Sequence, residues 1–304
     1  MNVLIGEPNT GKSNVLEALA VFSEGSMNLR DMFRFKSVGD FFYDRDLGET
    51  VSVSVDDSVS VKQNLLWTLR FISSRYEGAF SHTHTTALGN QFSLDHSGRM
   101  SGSWRQNLPA RFYIYRSLTD FTSSSQGYLQ PPYGPNLVTL LTTHKRLRTL
   151  VTDLFQNRGF RLSMDAERNE LLLMKDVRNQ LYHFSYPTVS ETLRRIVFYM
   201  AVLETNQNAV LLLDEPEANT FPFYTTYLAE RIALDETNQF FLTTHNPYIL
   251  ESIVAKTPIE HLAVFVTEMV DYQTVLKPVT GTGLSRILDY GASAFLNLGR
   301  LTEE

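Results

Sequence analysis

The 304-residue chain contains no cysteine. Disulfides, zinc–thiolate sites and thiol nucleophiles are therefore excluded. It also lacks an apolar run of membrane-spanning length, and no charged-then-apolar leader precedes Gly6. The expectation is a cytoplasmic protein that makes no membrane contact. Neither sign of charge dominates: 27 Lys and Arg against 33 Asp and Glu leave a net charge of −6, with no general pull toward nucleic acid or anionic lipid. There is no internal repeat, no low-complexity tract and no heptad run of coiled-coil length. What remains is an ordinary globular composition, 43% hydrophobic and 20% charged, with ample material for a core.

Against that background "GEPNTGKS" (Gly6 to Ser13) stands out as G-x-x-x-x-G-K-S, a phosphate-binding P-loop. Such a loop must follow a buried strand and open a helix. "NVLI" (Asn2 to Ile5) supplies the strand, and Val15, Leu16, Leu19, Ala20 and Phe22 recur at helical spacing behind it. Gly6 and Gly11 allow the sharp turns that aim successive N–H groups at phosphate oxygens, so the backbone from Gly6 through Glu7, Pro8, Asn9, Thr10 and Gly11 to Asn14 is the expected cradle. Lys12 is expected to bridge the β- and γ-phosphates, and the Ser13 hydroxyl to ligate Mg²⁺.

The complementary acid lies far along the chain. "AVLLLDEPEANTFP" (Ala209 to Pro222) is an apolar run ending in Asp214 and Glu215, the pattern of a buried parallel strand with its carboxylates at the C-terminal edge. Asp214 is expected to hold Mg²⁺ through water, and Glu215 to orient or activate the attacking water. "QFFLTTHNPYIL" (Gln239 to Leu250) then places His245 at the end of the next strand, where a γ-phosphate sensor belongs. No N-K-x-D guanine motif is present, so ATP is the expected nucleotide.

The order of these motifs resembles ABC-type P-loop ATPases of the RecF/SMC/OLD (overcoming lysogenization defect) branch. The likeness covers the start of the chain and roughly residues 185–247; "DEPEANTFP" is similar to the D-E-P-E-x-x-x-x-P stretch of OLD-like members and "TTHNPYIL" to their switch-histidine segment. The resemblance implies an α/β fold with a mainly parallel core sheet flanked by helices, an antiparallel β subdomain, and a homodimer or higher homo-oligomer formed on ATP. It also implies a signature at the head of the helix before Walker B. Here that stretch is "YPTVSETLRR", in which Ser190, Thr192, Leu193 and Arg194 echo S-x-G-T-L-R without its glycine. Ser190 reads as an N-cap, and Ser190 and Arg194 would meet phosphate bound to the opposite subunit. Leu193, Ile196, Val197, Met200 and Leu203 form the stripe expected to be buried. Gln63 is the nearest candidate for the family's Q-loop glutamine, but it sits in a strand-like run and is not assigned.

Between the motifs, Thr50 to Lys62 alternates Val and Ser around Asp-Asp-Ser and predicts a hairpin, with Leu65 to Ile72 continuing its sheet. Ser73 to Leu108 is polar and predicts a long irregular insertion. A helix is expected from Leu137 to about Gln156, then a hairpin from Phe160 to Lys175. Relatives of this branch begin with strands that support the adenine, which this chain does not have before Asn2. Either the Thr50–Lys62 hairpin serves alone, or a start was lost, or a partner supplies the edge; in each case Met1 should be ordered against the core. One domain over 1–304 is expected, with about 40–120 as the β subdomain, about 125–185 as a helical and hairpin lobe, and about 186–304 as the half with Asp214 and His245.

Weaker signals take bland readings. His82 and His84 lack a third ligand and read as loop residues. "HKRLR" (His144 to Arg148) reads as a solvated helix face, whereas Arg194-Arg195 adjoins the signature. No D-x-D acid cluster follows His245, so any nuclease would come from another chain. An ATP-hydrolysing dimer for phage defence or DNA maintenance is the leading expectation, possible nucleic-acid contact being left open. An ATP-binding regulatory or scaffold module acting through a partner is the alternative, and a GTP-dependent switch the third.

Overall fold

A computed structural model of the chain describes residues 1–23, 29–57, 63–82, 91–102, 110–165 and 167–303. It divides into two compact units, Met1–Ser13 with Tyr113–Glu304, and Asn14–Phe112. In chain order the elements are β1 (Asn2–Gly6), α1 (Lys12–Ala20), β2 (Val51–Asp57), β3 (Gln63–Ile72), β4 (Arg75–His82), β5 (Gln91–Leu94), β6 (Met100–Gly102), β7 (Ala110–Tyr113), α2 (Leu137–Thr143), α3 (Lys145–Gln156), β8 (Arg161–Asp165), β9 (Glu170–Val177), β10 (Gln180–Ser185), α4 (Glu191–Thr205), β11 (Val210–Asp214), α5 (Pro222–Ala233), β12 (Gln239–Thr243), α6 (Pro247–Lys256), β13 (Ala263–Val270), β14 (Gln273–Pro278), α7 (Gly281–Tyr290) and α8 (Leu298–Leu301).

The first unit is built on a sheet with its strands in the order β14-β13-β1-β12-β11. β1 runs parallel to both β12 and β13, and β11 runs parallel to β12; only β14 is shown antiparallel, to β13. Strands buried on both faces need continuous rather than alternating apolar residues, and Val3, Leu4 and Ile5 in β1 and Leu211, Leu212 and Leu213 in β11 meet that need. The register sets Thr243 beside Leu4 on one side and beside Asp214 on the other. The ends of three parallel strands therefore share one edge, which is where α/β sheets place their sites. This is the α/β fold with a mainly parallel core that the motifs imply.

Helix α4 is more deeply set than its stripe suggests: every residue from Arg195 to Val202 is buried, while Leu193 and Leu203 are half-buried. A helix buried all round belongs in the core rather than on it. The expected Leu137–Gln156 helix is two, broken at His144, whose extended backbone (φ −92°, ψ 100°) ends α2. The break is held by Arg148, which donates through Nη1 to the free carbonyls of Thr142 (2.6 Å) and Leu141 (3.3 Å). Arg146 pairs with Glu204 at 2.9 Å, so both arginines of the basic cluster engage local structure. The Phe160–Lys175 hairpin gains a third strand, β10, whose exposed residues gave no burial pattern to read.

The second unit carries a five-stranded antiparallel sheet, β2-β3-β4-β5-β6. β2 pairs with β3, Val53 opposite Trp67, so the expected hairpin is formed with the following run rather than inside Thr50–Lys62. Residues 58–62 lie outside the described residues. The irregular insertion expected from Ser73 to Leu108 instead supplies β4, β5 and β6. Tyr76, Phe80, Phe92, Leu94 and Met100 are its buried positions, diluted in sequence by the Ser, Gly and His around them. Trp67 stacks on Phe92 with ring centroids 6.1 Å apart. His84 lies outside the described residues, and among those described no cluster of three His, Asp or Glu could hold a metal. No described helix is long and apolar enough to cross a membrane.

Candidate functional site

The loop between β1 and α1 needs backbone conformations that only glycine adopts freely. Gly6 has φ +155° and Gly11 φ +87°, and a Cβ at either would strike Thr267 or Thr274, respectively. Asn9 takes the left-handed region at φ 63°. Thr10 is buried and hydrogen-bonds Thr267 Oγ1 at 2.6 Å, so β13 backs the loop. Glu7, Pro8, Asn9 and Asn14 turn their side chains to solvent, leaving backbone N–H groups, which Pro8 lacks, as what this stretch can offer a phosphate. Lys12 is 5% exposed and its Nζ donates to the carbonyls of Gly6 (3.1 Å) and Glu7 (2.7 Å). Burial lowers the pKa of Lys12, and the charges of Glu215 and Asp214 pull it back up.

The Ser13 hydroxyl donates to Asp214 Oδ1 at 3.0 Å, bringing together residues 201 positions apart. Thr243 Oγ1 donates to the same oxygen at 2.6 Å and accepts from the Glu215 N–H at 3.0 Å. No motif marks Thr243; its register beside Asp214 gives it the part. Glu215 sits at φ 44°, sparsely populated for a residue with a Cβ. Its Oε1 lies 3.3 Å from His245 Nε2, and both side chains are about two-fifths exposed. The pKa of His245 is lowered by burial first and by the Lys12 charge second, against the opposing pull of Glu215 and Asp214. Lys12, Ser13, Asp214, Glu215 and His245 thus lie at one sheet edge.

The signature residues are placed differently. Ser190 occupies the N-cap position of α4 but its side chain makes no cap hydrogen bond, and Glu191 lies in the first turn. Arg194 donates through Nη1 to Ser117 Oγ, and Arg195 lies over the Tyr115 ring at 4.4 Å while pairing with Glu191 at 3.2 Å. Thr192 Oγ1 donates to the Asn219 carbonyl at 3.1 Å, tying the head of α4 to the turn after β11.

Glu217 is the second acid of D-E-P-E, a place that by itself assigns it no part. It is 5% exposed, and burial raises its pKa to about 7, although a hydrogen bond from Thr244 acts the other way. A carboxyl with a raised folded pKa stabilises the fold most below its unfolded value, near 4.5, and that contribution is lost as pH rises through about 7. Glu217→Gln is therefore expected to unfold at a higher temperature than the parent at pH 8, by on the order of 3 kcal/mol of stability, and to match it near pH 4. Melting curves at the two pH values check the sign; a destabilised Gln variant at pH 8 contradicts it.

Residues 1–251 match a family model described as "AAA domain, putative AbiEii toxin, Type IV TA system". No curated protein matches the chain in sequence. Among solved structures, the chain is similar to an Smc head bound to the C-winged helix domain of ScpA, with 12% identity over 94% of this chain and 91% of that one and a TM-score of 0.49. It is similar to the SMC head domain from Thermotoga maritima at 12% identity, 92% and 90% coverage and a TM-score of 0.39. An SMC ATPase described for ATP-driven dimerization and DNA-stimulated activation aligns at 13% identity over 55% of this chain and 99% of that one, with a TM-score of 0.36. Likeness at these scores carries nothing about activity or partners. The family match is of another kind, since it spans most of the chain and includes Lys12, Asp214 and His245. By that match the chain belongs to this AAA-domain family of P-loop ATPases.

Proposed function

We propose that the chain binds ATP with Mg²⁺ at the P-loop, hydrolyses it, and closes as a head-to-tail dimer on two nucleotides. The observation that carries this reading is the meeting of two pairs at one sheet edge, Ser13 with Asp214 at 3.0 Å and Glu215 with His245 at 3.3 Å. A hydroxyl and one carboxylate are hard oxygen donors that suit Mg²⁺, which takes its other ligands from phosphates and water. The metal, when bound, would neutralise charge on the phosphates. Lys12 would exchange its two carbonyl partners for phosphate oxygens. The backbone N–H groups of Asn9 to Ser13, at the head of α1, would hold the remaining negative charge. Glu215 would orient and deprotonate the attacking water, and His245 would answer to the γ-phosphate.

Ser190 and Arg194 would face phosphate on the opposite copy. Against that stand the missing glycine and the engagement of Arg194 with Ser117, which favour a second reading: an ATP-binding module that switches a partner without turnover. Steady-state phosphate release separates the two, and competition by GTP tests the base. Ser190→Arg is expected to leave monomeric ATP affinity unchanged while abolishing ATP-dependent association, because a cation opposes the positive end of α4. Scattering that still finds an ATP-bound dimer in this variant removes the signature assignment. The family description names a toxin of a Type IV system; an output in defence, delivered through an effector or nuclease on another chain, completes the proposal.

A further inference from the structure

Two turns leave the sheet edge side by side, one after β11 with Glu215 and Glu217, the other after β12 with Thr244, His245 and Asn246. Thr244 is fully buried; its Oγ1 donates to Glu217 Oε1 and accepts the Asn246 N–H at 2.9 Å. The Thr244 N–H itself goes to the Leu4 carbonyl of β1 at 3.1 Å. The residues on both sides of His245 are thereby fixed through one hydroxyl. On the other turn, the Ala218 N–H bonds the Glu215 carbonyl at 3.0 Å, and the Glu217 carbonyl accepts from the Thr220 N–H (3.0 Å) and Oγ1 (2.6 Å). Glu217 Oε2 is buried with no partner. A buried carboxylate with an idle oxygen costs more than an apolar side chain of its size, so packing alone does not account for an acid here.

We propose that Glu217 is a positioning residue: through Thr244 it staples the turn bearing Glu215 to the turn bearing His245 and so sets the spacing of that pair. This rests on the hydrolytic reading of Glu215 and His245. Misplacing a reacting group by about 1 Å costs up to about 10²-fold in rate, so a staple behind the pair has a large effect without touching nucleotide.

The test compares Glu217→Met, which removes the acceptor, Thr244→Val, which removes the donor together with the acceptor of the Asn246 N–H, and Glu217→Gln, which keeps an acceptor oxygen. The first two are expected to lower kcat by about 10-fold or more with KM for MgATP within about twofold, whereas Glu217→Gln recovers most of kcat. The imidazole NMR signals of His245, identified by their loss in His245→Gln, should shift in the Met and Val variants of the folded protein and stay near parental positions in Glu217→Gln. Parental kcat in both folded Met and Val variants overturns the proposal, as does an unmoved His245 signal. A parent without turnover defeats the hydrolytic reading instead, and the NMR comparison alone then decides whether Glu217 places His245.

Discussion

Replacing Glu215 with glutamine is expected to lower ATP turnover by about 10²–10⁴-fold, the usual weight of general acid–base help, while leaving MgATP binding in place. The substitution keeps size and shape, and the backbone that holds Glu215 at φ 44° is fixed by its N–H bond to Thr243, which the change does not touch. Asp214 and Ser13, the expected Mg²⁺ ligands, stay paired. What is lost is the group able to take a proton from water. His245 is also left with a weaker partner: the Glu215 charge helps hold its pKa up, so the imidazole of the variant should titrate lower still. Unhydrolysed nucleotide would then persist between two copies, and mass action would make that trapped form the more heat-stable, by about 2.7 kcal/mol at a nucleotide concentration of 100 Kd. Single-turnover phosphate release and melting with ATP give the two readouts. Parental turnover in the variant assigns the water-orienting part to another acid, and a parent with no turnover under any partner favours the binding module.

Much of this site is legible because its chemistry forces residue types into fixed places. A loop whose N–H groups face phosphate needs glycines at Gly6 and Gly11, and a parallel strand buried on both faces needs the run that ends in Asp214. These constraints are local, so the sequence displays them. The partners that complete the site are set by register instead. Thr243 lies beside Asp214 because β11 and β12 pair in parallel at that offset, and no spacing within either strand announces it. Thr267 and Thr274 back the loop from strands that are distant in sequence. Glu217 was visible as the second acid of D-E-P-E, but its burial, and hence its tie to Thr244, depends on the neighbouring turn. The β subdomain shows the opposite failure. Strands β4 to β6 alternate as they should, yet Gly, Ser and His dilute the apolar signal below recognition, and β10, exposed along its whole length, has no buried face to reveal it. The break at His144 was hidden for another reason. Both flanking helices have helical periodicity, and what ends the first is a side chain, Arg148, returning to cap it.

The other large effect belongs to Lys12. Lys12→Ala is expected to weaken MgATP binding by about 10²–10⁴-fold and to leave the fold standing. Nζ makes two hydrogen bonds, to the Gly6 and Glu7 carbonyls, and both end at the loop that would hold phosphate. Exchanging them for two charge-assisted bonds to phosphate contributes roughly 1.5–3 kcal/mol each, so about 3–6 kcal/mol of binding disappears with the side chain. At about 1.4 kcal/mol per decade this gives the stated range. The fold should tolerate the change because two effects oppose each other. The Gly6 carbonyl loses its lysine donor, but an ammonium whose burial depresses its pKa no longer has to be kept out of water. The Glu7 carbonyl keeps the Thr10 hydroxyl as a donor at 2.8 Å. Calorimetric titration with MgATP measures the first expectation and a melting curve without nucleotide the second. Unchanged affinity in a folded Lys12→Ala variant removes the P-loop assignment, because no other buried cation among the described residues stands in that loop to replace it.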